Sequence, residues 1–365
     1  LITFMITRGY GREAYGDFSL MQGIPALLFI ITDFGLNAIS VRETSKNESR
    51  LYHYFGNILI FRVLLSFCFI LALGILLAIF PYSADLKFGI RLSSLLILTF
   101  SLFTTTNIVF QTKLRYDLSS ISQIFGYIFI VITSFFLIKQ GASVTWINFT
   151  YVIGGFLTFL MGFYFICRLD IPRDFSVDIP LIKNLFKESL PLGIMFVFSQ
   201  MSFKEDILLL SLLRVPSWVK LNHSEVVGVY SLPYRIFEVS LVIPSFFMNA
   251  VYPVLVRHLE EGSKRFLHSF KNTLKFLFVS GIFCGLGGVI FAPFIIRIFG
   301  ETDFYYSIPV LRILMAGVFL FYLSQPISWF LVVIKSQKYL PYIYFVSALV
   351  NFGLNIILIP LYSFY

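Results

Sequence analysis

Long apolar segments occupy most of this chain, and they restrict its fold more strongly than any other feature. Hydrophobic residues make up 58% of the 365 positions and charged residues 13%. A helix of about 20 apolar residues crosses the hydrocarbon core of a bilayer, whereas a soluble domain cannot bury so many such segments. The sequence therefore predicts an all-α polytopic membrane protein with about eleven transmembrane helices. The predicted spans are 1–7, 18–37, 55–80, 92–110, 118–138, 143–167, 190–213, 229–253, 276–299, 306–334 and 341–365.

Both ends of the sequence lie within apolar segments. Residues 1–7 read as the end of an incomplete span, and the last residues, Ile359-Pro360-Leu361-Tyr362, carry no polar tail. We therefore expect a fragment of a longer protein, with part of its first span and at least one final span outside the sequence.

Basic residues are distributed unequally between alternate connections. With the first span ending outside, the loops on the cytoplasmic side carry about twice as many Lys and Arg residues as the outer loops, which is the positive-inside pattern. The predicted cytoplasmic loops are 38–54, 111–117, 168–189, 254–275 and 335–340. This topology places the N-terminus in the cytoplasm. It also explains the formal net charge of +9 through membrane lipids with anionic headgroups, so we expect no nucleic-acid partner.

The cysteine and histidine residues do not form a ligand pattern. Cys68, Cys167 and Cys284 are too far apart for a metal motif, and the 4 His residues show no ligand spacing. We predict no metal and no cofactor.

A short motif occurs at the start of two spans, in each half of the chain. Gly16-Asp-Phe-Ser-Leu precedes the second span, and Gly228-Val-Tyr-Ser-Leu precedes the eighth. An even number of spans between the copies keeps both halves in the same orientation, as in transporters with parallel repeats. We predict an N-terminal lobe (1–168), a cytoplasmic linker (169–189) and a C-terminal lobe (190–365). The alternative is two convergent helix starts, because Gly and aromatic residues are common at membrane interfaces.

Three groups of residues carry a resemblance to a known family. They are Tyr15-Gly-Asp-Phe-Ser-Leu with Asp33-Phe-Gly-Leu-Asn and Arg42-Glu43; Val227-Gly-Val-Tyr-Ser-Leu-Pro-Tyr-Arg235 with Tyr252-Pro253; and Lys335-Ser-Gln-Lys338 with Val350-Asn351, Asn355 and Ile359-Pro360. Together they resemble lipid-linked oligosaccharide flippases of the Wzx type, the O-antigen and polysaccharide flippases of the multidrug/oligosaccharidyl-lipid/polysaccharide exporter superfamily. The soft motifs identify the superfamily better than the substrate.

The resemblance implies a fold and a function. The fold has 12–14 helices in two six-helix lobes around a central cavity. The function is translocation of a polyprenyl-pyrophosphate oligosaccharide by alternating access in the bacterial inner membrane, for lipopolysaccharide, capsule or exopolysaccharide synthesis. A polysaccharide polymerase and a chain-length regulator are the partners implied.

Ionisable residues within the spans are the candidate functional groups, because charge at membrane depth usually faces a cavity or a partner. Asp33 and Arg62 either form a structural pair or present Arg62 to an anionic headgroup. Lys204, Glu205 and Asp206 are neighbours in one span and cannot all satisfy one another. Asp206 also matches an acidic position of the family, and Asp206 or Glu205 is a candidate for coupling to H⁺ or Na⁺. A salt bridge from Asp206 to Arg235 is the alternative.

The predicted substrate-binding residues are basic or carry an amide. Arg235 matches a basic position of the family and can also pair with Glu238 three residues on. Arginine binds phosphate in bidentate geometry and keeps its charge when desolvated. The candidates for the pyrophosphate and sugar are Arg62, Arg235, Arg312, Lys204 and Gln325. The in-span acids balance these cations, so a basic cavity requires some acids to be protonated or used in helix contacts.

Two other functional classes compete with the flippase. A cation-coupled multidrug antiporter of the same superfamily is the nearest alternative, and its cavity is expected to be acidic. A membrane polysaccharide polymerase is a further one, but the predicted outer loops are short and hold no cluster of His, Asp and Glu. We therefore predict a transporter without catalytic residues.

Overall fold

The structure is a computed structural model that describes residues 1–365, and it consists of α-helices joined by short connections. The thirteen helices are α1 (Ile2–Asp33), α2 (Leu36–Lys46), α3 (Leu51–Ile79), α4 (Ala84–Ser93), α5 (Leu95–Thr112), α6 (Tyr116–Lys139), α7 (Val144–Arg168), α8 (Ile179–Leu212), α9 (His223–Ser240), α10 (Val242–Glu261), α11 (Ser263–Gly300), α12 (Ser307–Val333) and α13 (Leu340–Tyr362). The prediction of an all-α polytopic membrane protein is confirmed.

Nine helical stretches are long and apolar enough to cross a membrane, which is fewer than the predicted eleven spans. The predicted loop at 8–17 is helical apart from a break at Gly11, where φ is 80° and ψ is −174°, so the first two predicted spans lie in two helical segments of α1 on either side of Gly11. Thr3 of the first segment and Ser19 of the second line the same cavity, so the chain folds back at this break. The predicted span at 190–213 lies in α8, which is not among the nine because charged residues interrupt its apolar sequence. The predicted span at 229–253 is divided between α9 and α10.

Polar side chains cap several helix ends. Ser83 accepts a hydrogen bond from the backbone N–H of Leu86 at the start of α4 (3.2 Å). Asn222 and Glu225 form a reciprocal capping box at the start of α9, which satisfies backbone N–H groups that no helical carbonyl reaches. These caps place the polar connections at defined points between the apolar helices.

We keep the predicted boundaries for the description and call residues 1–168 the first lobe and residues 190–365 the second lobe. In the first lobe, α5 packs against α1, α3 and α7, and α6 packs against α7. In the second lobe, α11 packs along α12, α9 packs against α12, and α13 packs against α8. Hydroxyl pairs between helices, such as Ser134 with Thr150 (2.9 Å), replace part of the hydrophobic contact, as expected inside a bilayer.

The lobes meet mainly through α1, which packs against α8, α9 and α11. Gly16 of α1 and Gly228 of α9 lie at the crossing of their two helices. At the opposite, predicted cytoplasmic end, the linker is attached to the first lobe. The Asn57 side chain donates to the Ser176 carbonyl (2.9 Å) and accepts from the Asp178 backbone N–H (2.7 Å), and Arg42 pairs with Glu188 of α8.

Candidate functional site

A cavity of about 210 Å³ lies between the two lobes. Helices α1, α5 and α7 line one side of it, and α8 and α9 line the other. The lining residues are Thr3, Tyr15, Phe18, Ser19, Gln22, Gly23, Ala26, Phe100, Tyr151, Lys204, Ile207, Ser231, Tyr234, Arg235 and Glu238. We call this space the central cavity.

The second lobe supplies all the charged side chains of the central cavity. The Lys204 ammonium on α8 donates to Oε1 of Glu238, and Nη1 of Arg235 donates to Oε2 of the same carboxylate at 3.1 Å. The Arg235 side chain is 65% exposed, whereas those of Lys204 and Glu238 are about a quarter exposed. Two cations therefore share one anion, and the group carries a net positive charge. The predicted pairing of Arg235 with Glu238 is present.

Backbone and aromatic contacts hold this charged group in place. The Tyr234 hydroxyl donates to the Phe203 carbonyl, one residue before Lys204, which joins α9 to α8 beside the ion pair. The Lys204 ammonium lies 5.8 Å from the centre of the Tyr234 ring, within cation–π range. The sequence analysis did not single out Tyr234, although Tyr230 and Tyr234 are four residues apart and so share one helical face.

The first lobe supplies a neutral polar and aromatic side. Gln22 donates from its amide nitrogen to Asn148 (2.5 Å), and this bond leaves the carbonyl oxygen of Gln22 free to accept from a ligand. Tyr15 stacks on Phe18 (6.3 Å between ring centres), and Phe18 meets Tyr151 edge-on (5.8 Å). The central cavity thus has one charged and one neutral side.

Arg62 lies outside the central cavity, in the interior of the first lobe. Its side chain is 1% exposed, and Nη2 donates to Oδ1 of Asp33 at 2.5 Å. Nη1 donates to the hydroxyls of Thr104 (3.1 Å) and Thr105 (3.0 Å). Of the two interpretations left open by the sequence, the structure contains the Asp33–Arg62 pair.

Arg312 and Gln325 also lie away from the central cavity. Arg312 is exposed on α12, and its nearest polar partner is the Val289 carbonyl at 3.4 Å. Gln325 lines a separate cavity of about 570 Å³ between α8, α10, α12 and α13. The structure therefore brings together Lys204, Arg235 and Glu238, and it separates them from Arg62, Arg312 and Gln325.

Asp206 and Glu205 lie within the second lobe rather than in the central cavity. Asp206 lines a cavity of about 200 Å³ and accepts hydrogen bonds from the Tyr230 hydroxyl (2.7 Å) and the Asn355 amide (2.6 Å). Asn355 also donates to Asn351 (2.8 Å). The alternative salt bridge from Asp206 to Arg235 is not formed.

Glu205 is the second carboxylate of this region, and it has no polar partner. The residue is 5% exposed, and both of its carboxylate oxygens are buried without a hydrogen bond. Because an unpaired buried charge is unfavourable, Glu205 is a position that a cation or a proton would stabilise.

Ion pairs connect the lobes at the predicted outer end of the central cavity. Arg12 pairs with Glu225 (2.9 Å) and with Asp303 (3.6 Å), and Arg8 pairs with Glu301 (3.6 Å). Since these bases already have acidic partners, they do not extend the positive charge of the cavity. They tie α1 to the second lobe.

Two protein-family models match the sequence of this chain. The family model described as polysaccharide biosynthesis protein matches residues 1–259, and the MatE family model matches residues 207–357. No curated protein matches the chain at a significant level.

Several solved structures share the fold. The lipid II flippase MurJ, in an inward closed conformation, superposes with a TM-score of 0.74 at 20% identity, covering 100% of this chain and 79% of that one. An inward-facing multidrug resistance transporter of the MATE family superposes with a TM-score of 0.68 at 13% identity, covering 98% and 93%. A transporter of the MOP superfamily from Pyrococcus furiosus gives a TM-score of 0.57 at 16% identity, covering 98% and 90%.

The structural likenesses identify the fold of MOP-superfamily transporters, and the family model covers more than half of the chain. The chain is a multi-pass membrane protein that belongs to the polysaccharide biosynthesis protein family.

Proposed function

We propose that this protein is a flippase that translocates a polyprenyl-pyrophosphate-linked oligosaccharide across the bacterial cytoplasmic membrane by alternating access. Its product would serve the synthesis of O-antigen, capsule or exopolysaccharide. The observation that carries the proposal is the central cavity, where Lys204 and Arg235 face a neutral wall of aromatic and amide side chains.

The charged side of the cavity suits the pyrophosphate. A pyrophosphate that joins a sugar to a lipid carries two negative charges, which cannot cross hydrocarbon unaided. Lysine and arginine provide charge-assisted hydrogen bonds to phosphate oxygens, and the exposed Arg235 guanidinium is available for bidentate contact. Arg235 and Lys204 are therefore the proposed phosphate ligands. Arg62, Arg312 and Gln325 are not included because they lie elsewhere.

The neutral side suits the sugar. The ring of Tyr151 offers a flat apolar face with a polar edge, and the free carbonyl oxygen of Gln22 can accept hydrogen bonds from sugar hydroxyls. In the proposed binding mode, the sugar faces the first lobe, the pyrophosphate faces the second lobe, and the lipid chain remains in the membrane.

The proposed cycle starts from the conformation described here. The ion pairs of Arg12 and the contact of α1 with α9 close the cavity at the predicted outer end. Opening these contacts while the predicted cytoplasmic ends approach each other would release the oligosaccharide outside. We propose that the N-terminus faces the cytoplasm, and that a polymerase and a chain-length regulator act on the released unit.

Coupling to an ion gradient is part of the proposal. Asp206 and Glu205 lie on α8, the helix that also carries Lys204, but they do not line the central cavity. An ion or proton bound there can therefore act on this helix without competing for the substrate. Either H⁺ or Na⁺ is compatible with these carboxylates. Apart from this coupling ion, the proposed cycle uses no cofactor.

The test of the function is made in the source organism with the full-length gene deleted. We expect complete lipid-linked repeat units to accumulate and surface polymer to disappear. The wild-type gene and the variant Arg312→Ala restore the polymer, whereas Arg235→Ala does not, although both variants reach the membrane in equal amounts. Unchanged lipid intermediates and surface polymer after the deletion would overturn the proposal.

A cation-coupled antiporter for organic cations is the second candidate. The observations in its favour are the match of the MatE family model to residues 207–357, the buried carboxylate of Glu205 and the partly buried carboxylate of Asp206. It predicts greater susceptibility to cationic drugs in the deletion strain, with normal surface polysaccharide. The same strain therefore separates the two functions.

A further inference from the structure

Glu238 occupies the position between the two cations of the central cavity. Its carboxylate uses Oε1 for Lys204 on α8 and Oε2 for Arg235 on α9. Each oxygen of one carboxylate therefore contacts a different cation, and the two phosphates of a pyrophosphate could make the same two contacts.

Different contacts fix the positions of Lys204, Arg235 and Glu238. Arg235 and Glu238 are three residues apart on α9, so their relative position is set by the helix. Lys204 comes from another helix, and the bond from Tyr234 to the Phe203 carbonyl keeps that helix close. The cations therefore stay near each other when the carboxylate rotates away.

The ion pairs are open to solvent. The side chains of Lys204 and Glu238 are about a quarter exposed, and that of Arg235 is 65% exposed. Ion pairs of this exposure contribute little to stability, because water competes for both partners. A phosphate group that enters the cavity can therefore replace the carboxylate at small cost.

The charges agree with such a replacement. With Glu238 in place, the cluster has a net charge of one; without its carboxylate contact, Lys204 and Arg235 present two positive charges. A pyrophosphate diester has two negative charges. The exchange of one anion for the other leaves no cation unpaired at either stage of the cycle.

We infer that Glu238 is an internal counter-ion, an inference that rests on the proposed function. The pyrophosphate of the substrate displaces the Glu238 carboxylate on binding, and the carboxylate returns to Lys204 and Arg235 when the substrate leaves. Glu238 is a positioning residue that sets affinity. It keeps the two cations paired in the empty cavity, and it limits how tightly the substrate is held, so that release remains fast.

The inference predicts an unusual direction of change for Glu238→Gln. The amide keeps the size of the side chain but removes the competing charge, so inorganic pyrophosphate should bind the variant on the order of ten-fold more tightly than the wild type. The increase should shrink at high ionic strength. A merely structural lesion would lower the affinity instead, so an increase reports on the competition itself.

The experiment uses purified full-length protein, titrated with inorganic pyrophosphate in a calorimeter. Glu238→Asp retains the charge and should bind close to wild-type affinity. The control Glu260→Gln removes a carboxylate from the predicted cytoplasmic loop and should leave the affinity unchanged. Reconstituted Glu238→Gln should transport more slowly than wild type, because release becomes slower.

The outcomes separate this inference from the proposed function. If the wild type binds pyrophosphate and Arg235→Ala does not, the result supports the phosphate site. If Glu238→Gln then binds no more tightly than wild type, the counter-ion inference is wrong while the phosphate site stands. If neither the wild type nor Glu238→Gln binds pyrophosphate, the phosphate site of the proposed function fails, and the inference fails with it.

Discussion

Gly16 and Gly228 cross each other in a reciprocal arrangement at the contact between the two lobes. A Cβ atom on Gly16 would lie 1.8 Å from the carbonyl oxygen of Ser224, four residues before Gly228, and 2.9 Å from the backbone nitrogen of Gly228. A Cβ atom on Gly228 would lie 1.9 Å from the carbonyl oxygen of Arg12, four residues before Gly16, and 3.1 Å from the nitrogen of Gly16. Each helix therefore presents the same backbone positions to the other.

Replacement of either glycine by alanine should open this end of the molecule. The new methyl group meets backbone, which cannot move aside as a side chain can, so α1 and α9 must separate. Overpacking of this kind costs about 1–3 kcal/mol, enough to shift the balance of conformations by about five-fold to more than a hundred-fold. We expect Gly16→Ala and Gly228→Ala to favour the outward-open conformation and to lower transport.

The measurement uses a reporter cysteine in the central cavity. Ser19→Cys is introduced into a full-length protein whose other cysteines are replaced, and it is labelled from outside with a membrane-impermeant reagent. Labelling should be faster with either alanine variant. The control is Gly74→Ala, because a Cβ atom on Gly74 of α3 meets nothing within 4 Å. Equal labelling rates in all variants would show that the crossing does not control access.

The reciprocal contact also bears on what the sequence could predict. The repeated motif predicts that Gly16 and Gly228 are equivalent positions of two repeats, but sequence similarity gives no distance between the copies. Their contact is the arrangement that a two-fold relation between the lobes would produce. The repeat itself and its boundaries remain predictions.

The sequence was informative about which segments lie in the membrane, and less informative about the direction in which each side chain points from its helix. Hydropathy and charge were enough to predict an all-α membrane protein, and helical spacing was enough to predict that Arg235 and Glu238 can pair. It could not show that Arg62 points into its own lobe while Lys204 faces the central cavity. That difference depends on the rotation of α3 and α8, which neighbouring helices determine. The sequence likewise could not show that Asn355, one of the residues that carry the family resemblance, bonds to Asp206.

Removal of the Arg62 side chain should unfold the first lobe rather than weaken substrate binding. Arg62→Ala leaves Asp33 without its partner and removes donors from Thr104 and Thr105. Loss of one member of a buried ion pair typically costs about 3–5 kcal/mol. We expect a lower melting temperature in detergent and little protein in the membrane. Arg312→Ala, at the exposed arginine of α12, should melt like the wild type. Normal stability of Arg62→Ala with lost transport would instead indicate contact with the substrate.

The start of α8 should loosen in acid. Asp178, in the linker before α8, accepts a hydrogen bond from the Leu181 backbone N–H (2.9 Å) and lies 3.3 Å from Nε2 of His53. The backbone bond and then the His53 contact lower the pKa of the Asp178 carboxyl from its ordinary value. A lowered pKa in the folded state means that the charged cap stabilises the fold above the unfolded pKa of about 4, and that this contribution is lost as the pH falls further.

Hydrogen–deuterium exchange of the peptide that contains Leu181 measures this effect. Protection relative to Asp178→Asn, which keeps a capping side chain without a titrating charge, should fall as the pH is lowered from 5 to about 3. A constant difference between wild type and variant over that range would exclude the charged cap as the cause.

Reversal of charge at Arg12 should break the contact between the lobes, and a second reversal should restore part of it. Arg12→Glu places an acid beside Glu225 and Asp303, which lie 2.9 and 3.6 Å from the present guanidinium. We expect faster labelling of the Ser19→Cys reporter from outside. Glu225→Arg in the same protein restores one pair and should slow the labelling again. Because these groups are partly exposed, the effect should diminish at high salt. No recovery in the double variant would argue against a direct Arg12–Glu225 interaction.

Neutralisation of the carboxylates in the second lobe should separate transport from the ion gradient. Asp206→Asn keeps the shape that Tyr230 and Asn355 contact, and Glu205→Gln removes a buried carboxylate that has no partner. If either group takes up H⁺ or Na⁺ during the cycle, its variant should still exchange lipid-linked oligosaccharide between the leaflets of proteoliposomes. The rate of this exchange should not increase when an ion gradient is applied. Glu261→Gln, at a carboxylate of the predicted cytoplasmic loop, should still respond to the gradient. A full response to both H⁺ and Na⁺ gradients in Asp206→Asn and in Glu205→Gln would place the coupling group elsewhere in the protein.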